Sequence, residues 1–170
     1  MTEAEKSWHD GLILLMELDN PASGRPDTEK CLKLIKGGAD INQGLRSKRG
    51  RTALMIAVKH DCAGRIISAL IENGADVNAR DQDGWTALMY AVVPANKDAI
   101  QTLIENGAHI GKENKFKKTA ENLARQLART SEKHSDIANF ITTTAFQAAA
   151  EKGTIKPRKI LHIPKQEHKG

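Results

Sequence analysis

Two short landmarks recur along this chain at a shared period, and that recurrence limits its fold more than any other feature. The strings GADIN at Gly38 to Asn42, GADVN at Gly74 to Asn78 and GAHIG at Gly107 to Gly111 follow one another at offsets of 36 and 33 residues. A second set, GRTAL from Gly50, GWTAL from Gly84 and KKTAENL from Lys117, places Thr52, Thr86 and Thr119 at offsets of 34 and 33. A unit of that size cannot bury an apolar face alone, so the units must stack on their neighbours. At 170 residues the chain is one such stack with its two ends.

Each landmark has a physical role. The three threonines stand just before short apolar patterns (Leu54, Ala57, Val58; Leu88, Ala91, Val92; Leu123, Ala124, Leu127), where a hydroxyl can cap the free amides of a first helical turn. A second pattern at helical spacing follows in each unit: Leu32, Leu34, Ile35; Ile66, Ile67, Leu70, Ile71; Ala99, Ile100, Leu103, Ile104; Ile137, Phe140, Ile141. Gly38, Gly74 and Gly107 come directly after these runs, where a residue without a Cβ ends a helix in the left-handed conformation. The predicted fold is therefore all-α, a solenoid of paired antiparallel helices with projecting β-turn fingers. Only 4% of residues are aromatic, which agrees with helices packed through aliphatic side chains.

The pattern resembles the ankyrin repeat, whose G-x-T-P-L-H-x-A-A and L-L-x-x-G-A-D-x-N strings are matched by GWTALMYAV and LIENGAHIG. The resemblance covers roughly residues 8 to 141 and is strongest in the two central units. Thr-Ala replaces the family's Thr-Pro, and Met55 and Met89 stand at its His; both methionines are read as core fillers. The chain divides into an N-terminal end (1–7), a repeat domain (8–153, with units at about 8–42, 43–78, 79–111 and 112–153) and a basic flexible tail (154–170). The first unit carries an insert, LDNPASGRPD, and the last stretches through ARTSEKHSD. TTTAFQAAAEKG either extends the last helix or forms a degenerate fifth unit, with Gly153 as a stop. The resemblance implies a protein-protein interaction module without catalysis or cofactor, binding through the fingers and the concave face of the first helices; a monomer is expected, since a capped solenoid needs no second copy to be soluble. It also admits a translocated effector of an intracellular bacterium, and hydroxylation of Asn42 or Asn78 as against a structural turn role.

Charge and aromatic placement select candidate contact residues. The first finger, QGLRSKRGR, supplies Arg46, Lys48, Arg49 and Arg51 with no acid; the third, KENKFKK, supplies Lys112, Lys115, Lys117 and Lys118 against Glu113. The middle finger sets Arg80 against Asp81 and Asp83, with Gln82 between them. Two basic fingers around a slightly acidic one fit an acidic partner protein; the plain alternative is solvated charge on exposed turns. Trp85, at a position exposed and variable in the family, is the leading hot-spot candidate, unless its ring packs back over the neighbouring finger. Phe116 at the third tip is the second, and Lys59, His60, Tyr90, Val93 and Pro94 complete the expected concave surface.

Catalytic and metal readings find little support. GAHIGKE has Asn106 where a phosphate loop needs Gly and Glu113 where it needs Ser or Thr. His60, Asp61 and Cys62 are adjacent in one turn and cannot orient one another as base and nucleophile. The six histidines show no HxxxH or HExxH spacing for a metal. Two cysteines, Cys31 and Cys62, make no disulfide framework, and the longest apolar run, Leu12 to Met16, is far short of a membrane span; a cytoplasmic location is expected, with nuclear or host-cell delivery as alternatives. Of the net charge of +5, the tail carries +4, so the body is nearly neutral. The tail reads as a solvated end, as a docking peptide through ILHIP, or as a basic address or nucleic-acid contact through KPRK. A nucleic-acid or chromatin-associated protein using basic fingers and tail is therefore the alternative to protein recognition.

Overall fold

A hydroxyl starts the first helix of each repeat, as the spacing predicts. Thr52, Thr86 and Thr119 have extended backbones, and their side chains accept the amides of Met55, Met89 and Asn122 at 3.4, 3.4 and 3.1 Å. The computed structural model describes residues 2–19, 26–44, 49–60, 64–129 and 131–151. Their helices are α1 (Glu3–Leu18), α2 (Thr28–Lys36), α3 (Ala53–Lys59), α4 (Gly64–Glu72), α5 (Ala87–Val92), α6 (Lys97–Glu105), α7 (Ala120–Leu127) and α8 (Glu132–Glu151). Helices α1, α3, α5 and α7 stack in one layer, α2, α4 and α6 in a second, and α8 closes on α7. The described residues thus form the all-α solenoid of paired helices.

Packing follows from residue size. Every residue of α5 and all of α3 but Lys59 is buried, because Ala53, Ala57, Ala87 and Ala91 let both flanks of each short helix approach its neighbours. Met55 and Met89 are fully enclosed, which supports their reading as core fillers. The outer helices contribute one face each: Leu32 and Ile35, Ile66, Ile67 and Leu70, then Ala99, Ile100 and Leu103.

The glycine stops join the units. Gly38, Gly74 and Gly107 have φ of +86°, +89° and +85°, and a Cβ at each would meet open space, so glycine is required by conformation alone. The turn satisfies the last carbonyls, with Ala75 N–H bonded to Leu70 O at 2.9 Å and Gly74 N–H to Ile71 O at 3.0 Å. It leaves the glycine carbonyl facing the preceding unit, where an asparagine side chain holds it. Asn42 Nδ2 donates to Gly74 O at 2.9 Å while its Oδ1 accepts from Asp76 N at 2.8 Å. Asn78 repeats the arrangement on Gly107 O (3.0 Å) and His109 N (2.8 Å).

The ends depart from the regular unit. Helix α1 begins at Glu3, inside the stretch read as a leading end, because Thr2 and Glu5 form a reciprocal capping box. Ser7 then does for the first unit what asparagine does later: its hydroxyl donates to Gly38 O at 2.6 Å and its carbonyl accepts from Asp40 N at 2.9 Å. At the other end TTTAFQAAAE continues α8 rather than opening a fifth unit. Most of the insert after Asp19, Cys62, Gly153 and the tail lie outside the described residues.

Asn78→Ala removes both bonds of one joint at a half-buried site. At about 1 kcal/mol per net hydrogen bond it should lower stability by about 2 kcal/mol, read as a lower urea midpoint with unchanged m-value. Asn78→Asp should lose at least as much, since it sets a carboxylate oxygen against the Gly107 carbonyl.

Candidate interaction surface

The middle and third fingers are tight turns, each closed from inside by one acidic or amide side chain. In the middle finger Asp81 N–H bonds Trp85 O at 3.0 Å, Gly84 N–H bonds Asp81 O at 3.0 Å, and Asp81 Oδ1 accepts the amides of Asp83 and Trp85 at 2.9 and 2.8 Å. Asn114 builds the third finger identically, its Oδ1 accepting Phe116 N–H at 2.9 Å and Lys118 N–H at 3.0 Å. Neighbouring fingers pair along their backbones, with Gln82 N–H donating to Arg49 O at 2.8 Å and Lys115 N–H to Asp83 O at 2.9 Å. Arg49 also forms an ion pair with Asp83, and Arg80 Nη2 donates to Glu113 O at 2.8 Å. The tips therefore make one ridge rather than three independent loops.

Several expected contact residues serve this ridge from within. Tyr90, expected on the concave surface, is 8% exposed. Its hydroxyl donates to Asp81 Oδ2 at 2.7 Å and accepts from Arg51 Nε at 3.0 Å, while the Arg51 guanidinium lies 5.3 Å from the centre of its ring. Trp85, read either as an exposed contact or as packed back, is half-buried against the core with its ring centre 5.2 Å from that of Tyr90. Stacking on Tyr90 takes the indole's apolar area from water, which is why the ring lies back. Arg51, Trp85, Tyr90 and Asp81 thus form a wedge under the first two fingers. The third finger lacks it: Leu123 occupies the place of Tyr90, and the buried Nδ2 of Asn114 has no hydrogen-bond partner.

The exposed candidates fall into two groups. Gln82, Lys115, Phe116 and Lys118 stand on the ridge with Arg49 and Arg80, and Phe116 is the large apolar side chain there, 64% exposed. Lys59, His60 and Pro94 lie at the far ends of α3 and α5, about 10 Å away for a helix of seven residues at 1.5 Å per residue. There His60 Nε2 sits 3.3 Å from the Asp19 carboxylate, and Val93 and Pro94 are exposed. Arg46 and Lys48 fall outside the described residues. Two surfaces have no counterpart among the expected residues: Trp8 and Met16, exposed on α1, and Arg125 with Arg129 at the other end of the stack. Their spacing of one or two helical turns was the available signal. Among the described residues no three His, Cys, Asp or Glu side chains converge as metal ligands, and no helix is long and apolar enough to cross a membrane.

Comparison with known proteins agrees with this geometry. Residues 22–114 match the family described as ankyrin repeats (3 copies). The chain is 31% identical over 127 residues to protein fem-1 homolog C of Danio rerio, covering 66% of this chain and 20% of that protein. It is 38% identical over 80 residues to SH3 and multiple ankyrin repeat domains protein 2 of Homo sapiens, covering 47% and 4% respectively. A shorter match, 50% over 42 residues, is to the mitochondrial disaggregase of Bos taurus, covering 25% and 6%. The chain spans a fifth or less of the length of each.

Burial, and then the bond to Asp81, push the Tyr90 phenol from 10.0 up to about 12. The folded state holds this proton more tightly than the unfolded state, so the associated stability is complete below pH 10 and is lost as pH rises toward about 12. Tyr90 is the chain's one tyrosine, so phenolate absorbance reports it alone. The native protein should titrate with a midpoint near 12, against about 10 after denaturation. Tyr90→Phe should abolish the absorbance change and lower stability at neutral pH by about 1–3 kcal/mol, since Asp81 and Arg51 lose their shared partner.

Proposed function

This chain belongs to the ankyrin-repeat family, and on that premise we propose that it is a non-catalytic module binding another protein through its finger ridge, as an adaptor, scaffold or inhibitor in the cytoplasm. The observation that carries this reading is the backbone pairing of Gln82 with Arg49 and of Lys115 with Asp83. Side chains on a ridge so fixed lose little freedom on binding, and that loss is a main cost of association. Phe116 supplies an aromatic anchor at the tip, with cations around it for an acidic partner surface. Gln82, Lys115, Phe116 and Lys118 are its contact set, joined by the exposed parts of Arg49 and Arg80 and, from the sequence, by Arg46 and Lys48. Arg51, Trp85 and Tyr90 act beneath them by holding the ridge in shape, and Asp83 ties it to Arg49. Lys59, His60 and Pro94 form a separate edge that a large partner reaches only by spanning the inner helices.

The test is capture from lysate at about 150 mM and about 500 mM salt, with and without nuclease, using the wild-type chain and a Phe116→Ala, Lys115→Glu variant; these salts bracket ordinary and strong screening. A captured protein should survive nuclease treatment and fall about tenfold or more with the variant, the size of a hot-spot loss. Recovery that vanishes with nuclease and with salt, yet ignores the variant, would favour nucleic-acid association instead.

A further inference from the structure

We propose that the last repeat carries a second docking groove, running along α7 from the finger ridge it meets at Lys118, that takes an extended acidic segment of a partner protein with carboxylates at alternate residues. Lys118, Asn122, Arg125, Gln126 and Arg129 line one open cleft. Asn122, Arg125 and Gln126 lie on the side of α7 opposite Ala120 and Ala124, which are buried in the stack, while Lys118 lies just before the cap at Thr119 and Arg129 just after the cap at Ala128. The terminal unit needs a wettable outer face, but any mixture of charges would meet that need. Here the polar lining has three cations, two amides and no carboxylate.

Arg125 is held in place. Its Nε and Nη2 donate to Glu121 Oε1 at 3.0 and 2.8 Å, and Thr142 Oγ1 on α8 donates to the same oxygen at 3.0 Å. This fixes the guanidinium plane across two helices and leaves Nη1 outside the pair. It also occupies Glu121, the carboxylate beside the groove. Arg129 follows four residues later, just past the cap at Ala128 whose backbone is still right-handed helical, so the two arginines leave the backbone about 6 Å apart along the axis, from four residues at 1.5 Å each. Alternate side chains of an extended peptide are about 6.6–7 Å apart, so an acid-x-acid segment presents a carboxylate to each. Asn122 and Gln126 offer donors and acceptors to its backbone between them. No aromatic ring lines the groove on which a base would stack, which favours peptide over single-stranded nucleic acid.

This inference rests on the reading of the chain as a binding module, but its test is independent of the native partner. A fluorescein-labelled peptide of alternating Glu and Ser is titrated with the full chain and followed by anisotropy, beside a peptide of the same composition with its Glu residues in one block and a labelled oligothymidine. The alternating peptide should bind most tightly. Arg125→Gln with Arg129→Gln should raise its Kd about fivefold, as expected for two exposed charge pairs, while Phe116→Ala leaves it unchanged. If Arg125→Gln loosens α7 from α8, seen as a lower Tm, Asn122→Ala with Arg129→Gln keeps the Glu121, Arg125 and Thr142 bonds, touches no ridge residue and should show a comparable loss. The proposal is overturned if the alternating peptide does not bind, if both double variants bind it like wild type, or if oligothymidine binds as tightly. Finger-dependent capture that persists in any of those cases sinks this groove alone.

Discussion

Everything in this molecule hangs on a carboxamide that reaches from one repeat to the end of the next. Asn42 and Asn78 each offer one donor and one acceptor, and each finds the carbonyl of a helix-ending glycine and the amide two residues beyond it. Only a left-handed glycine aims both groups at the preceding unit, so stop and joint are one device. The joint fixes where the next finger begins, and the fingers then pair along their backbones. Short inner helices with little stability of their own are thereby held in register by polar contacts at their ends and alanine-lined packing along their sides.

Much of this is legible in the sequence because it is local. The threonine caps lie within three residues of their partners, the glycine stops within five, and both show in the repeat itself. The start of α1 is local too, yet nothing in the repeat pattern marks Thr2 and Glu5, and only the capping-box spacing could have revealed it. Ser7 is harder still, since a serine doing an asparagine's work through hydroxyl and backbone carbonyl leaves no motif. The surface residues are least legible. Trp85 stands where the family varies, but its ring packs on Tyr90, and Tyr90 in turn is held by Arg51, contributed by the preceding finger. Pairing across units depends on the superposition of repeats rather than on any one of them.

The two complete fingers show what such a substitution does. Asp81 and Asn114 close the same turn with the same oxygen, but their second side-chain atoms meet different surroundings. Asp81 has a phenol and, through it, a guanidinium; Asn114 has Leu123 at the corresponding position and a buried amide nitrogen with no partner. One finger is anchored from beneath by a polar network, whereas its neighbour relies on turn geometry, strand-like pairing and the Arg80 bond to Glu113 O at its edge. Lys117 further holds φ of +57° where the middle finger has Gly84 at +78°. The finger that exposes Phe116 is thus the one without a polar network beneath it.

The joint also has an end. At the third copy of the landmark the asparagine is replaced by Gly111, which has no carboxamide to offer, and α8 runs for 20 residues. Among the described residues α8 is attached by its packing on α7 and by bonds such as that of Thr142 Oγ1 to Glu121 Oε1 at 3.0 Å and that between His134 Nε2 and the Val93 carbonyl at 3.1 Å. A stack whose units touch only their neighbours is held seam by seam, and the seam between α7 and α8, the most extensive helix packing among the described residues, puts side-chain contact where the earlier seams have a polar joint.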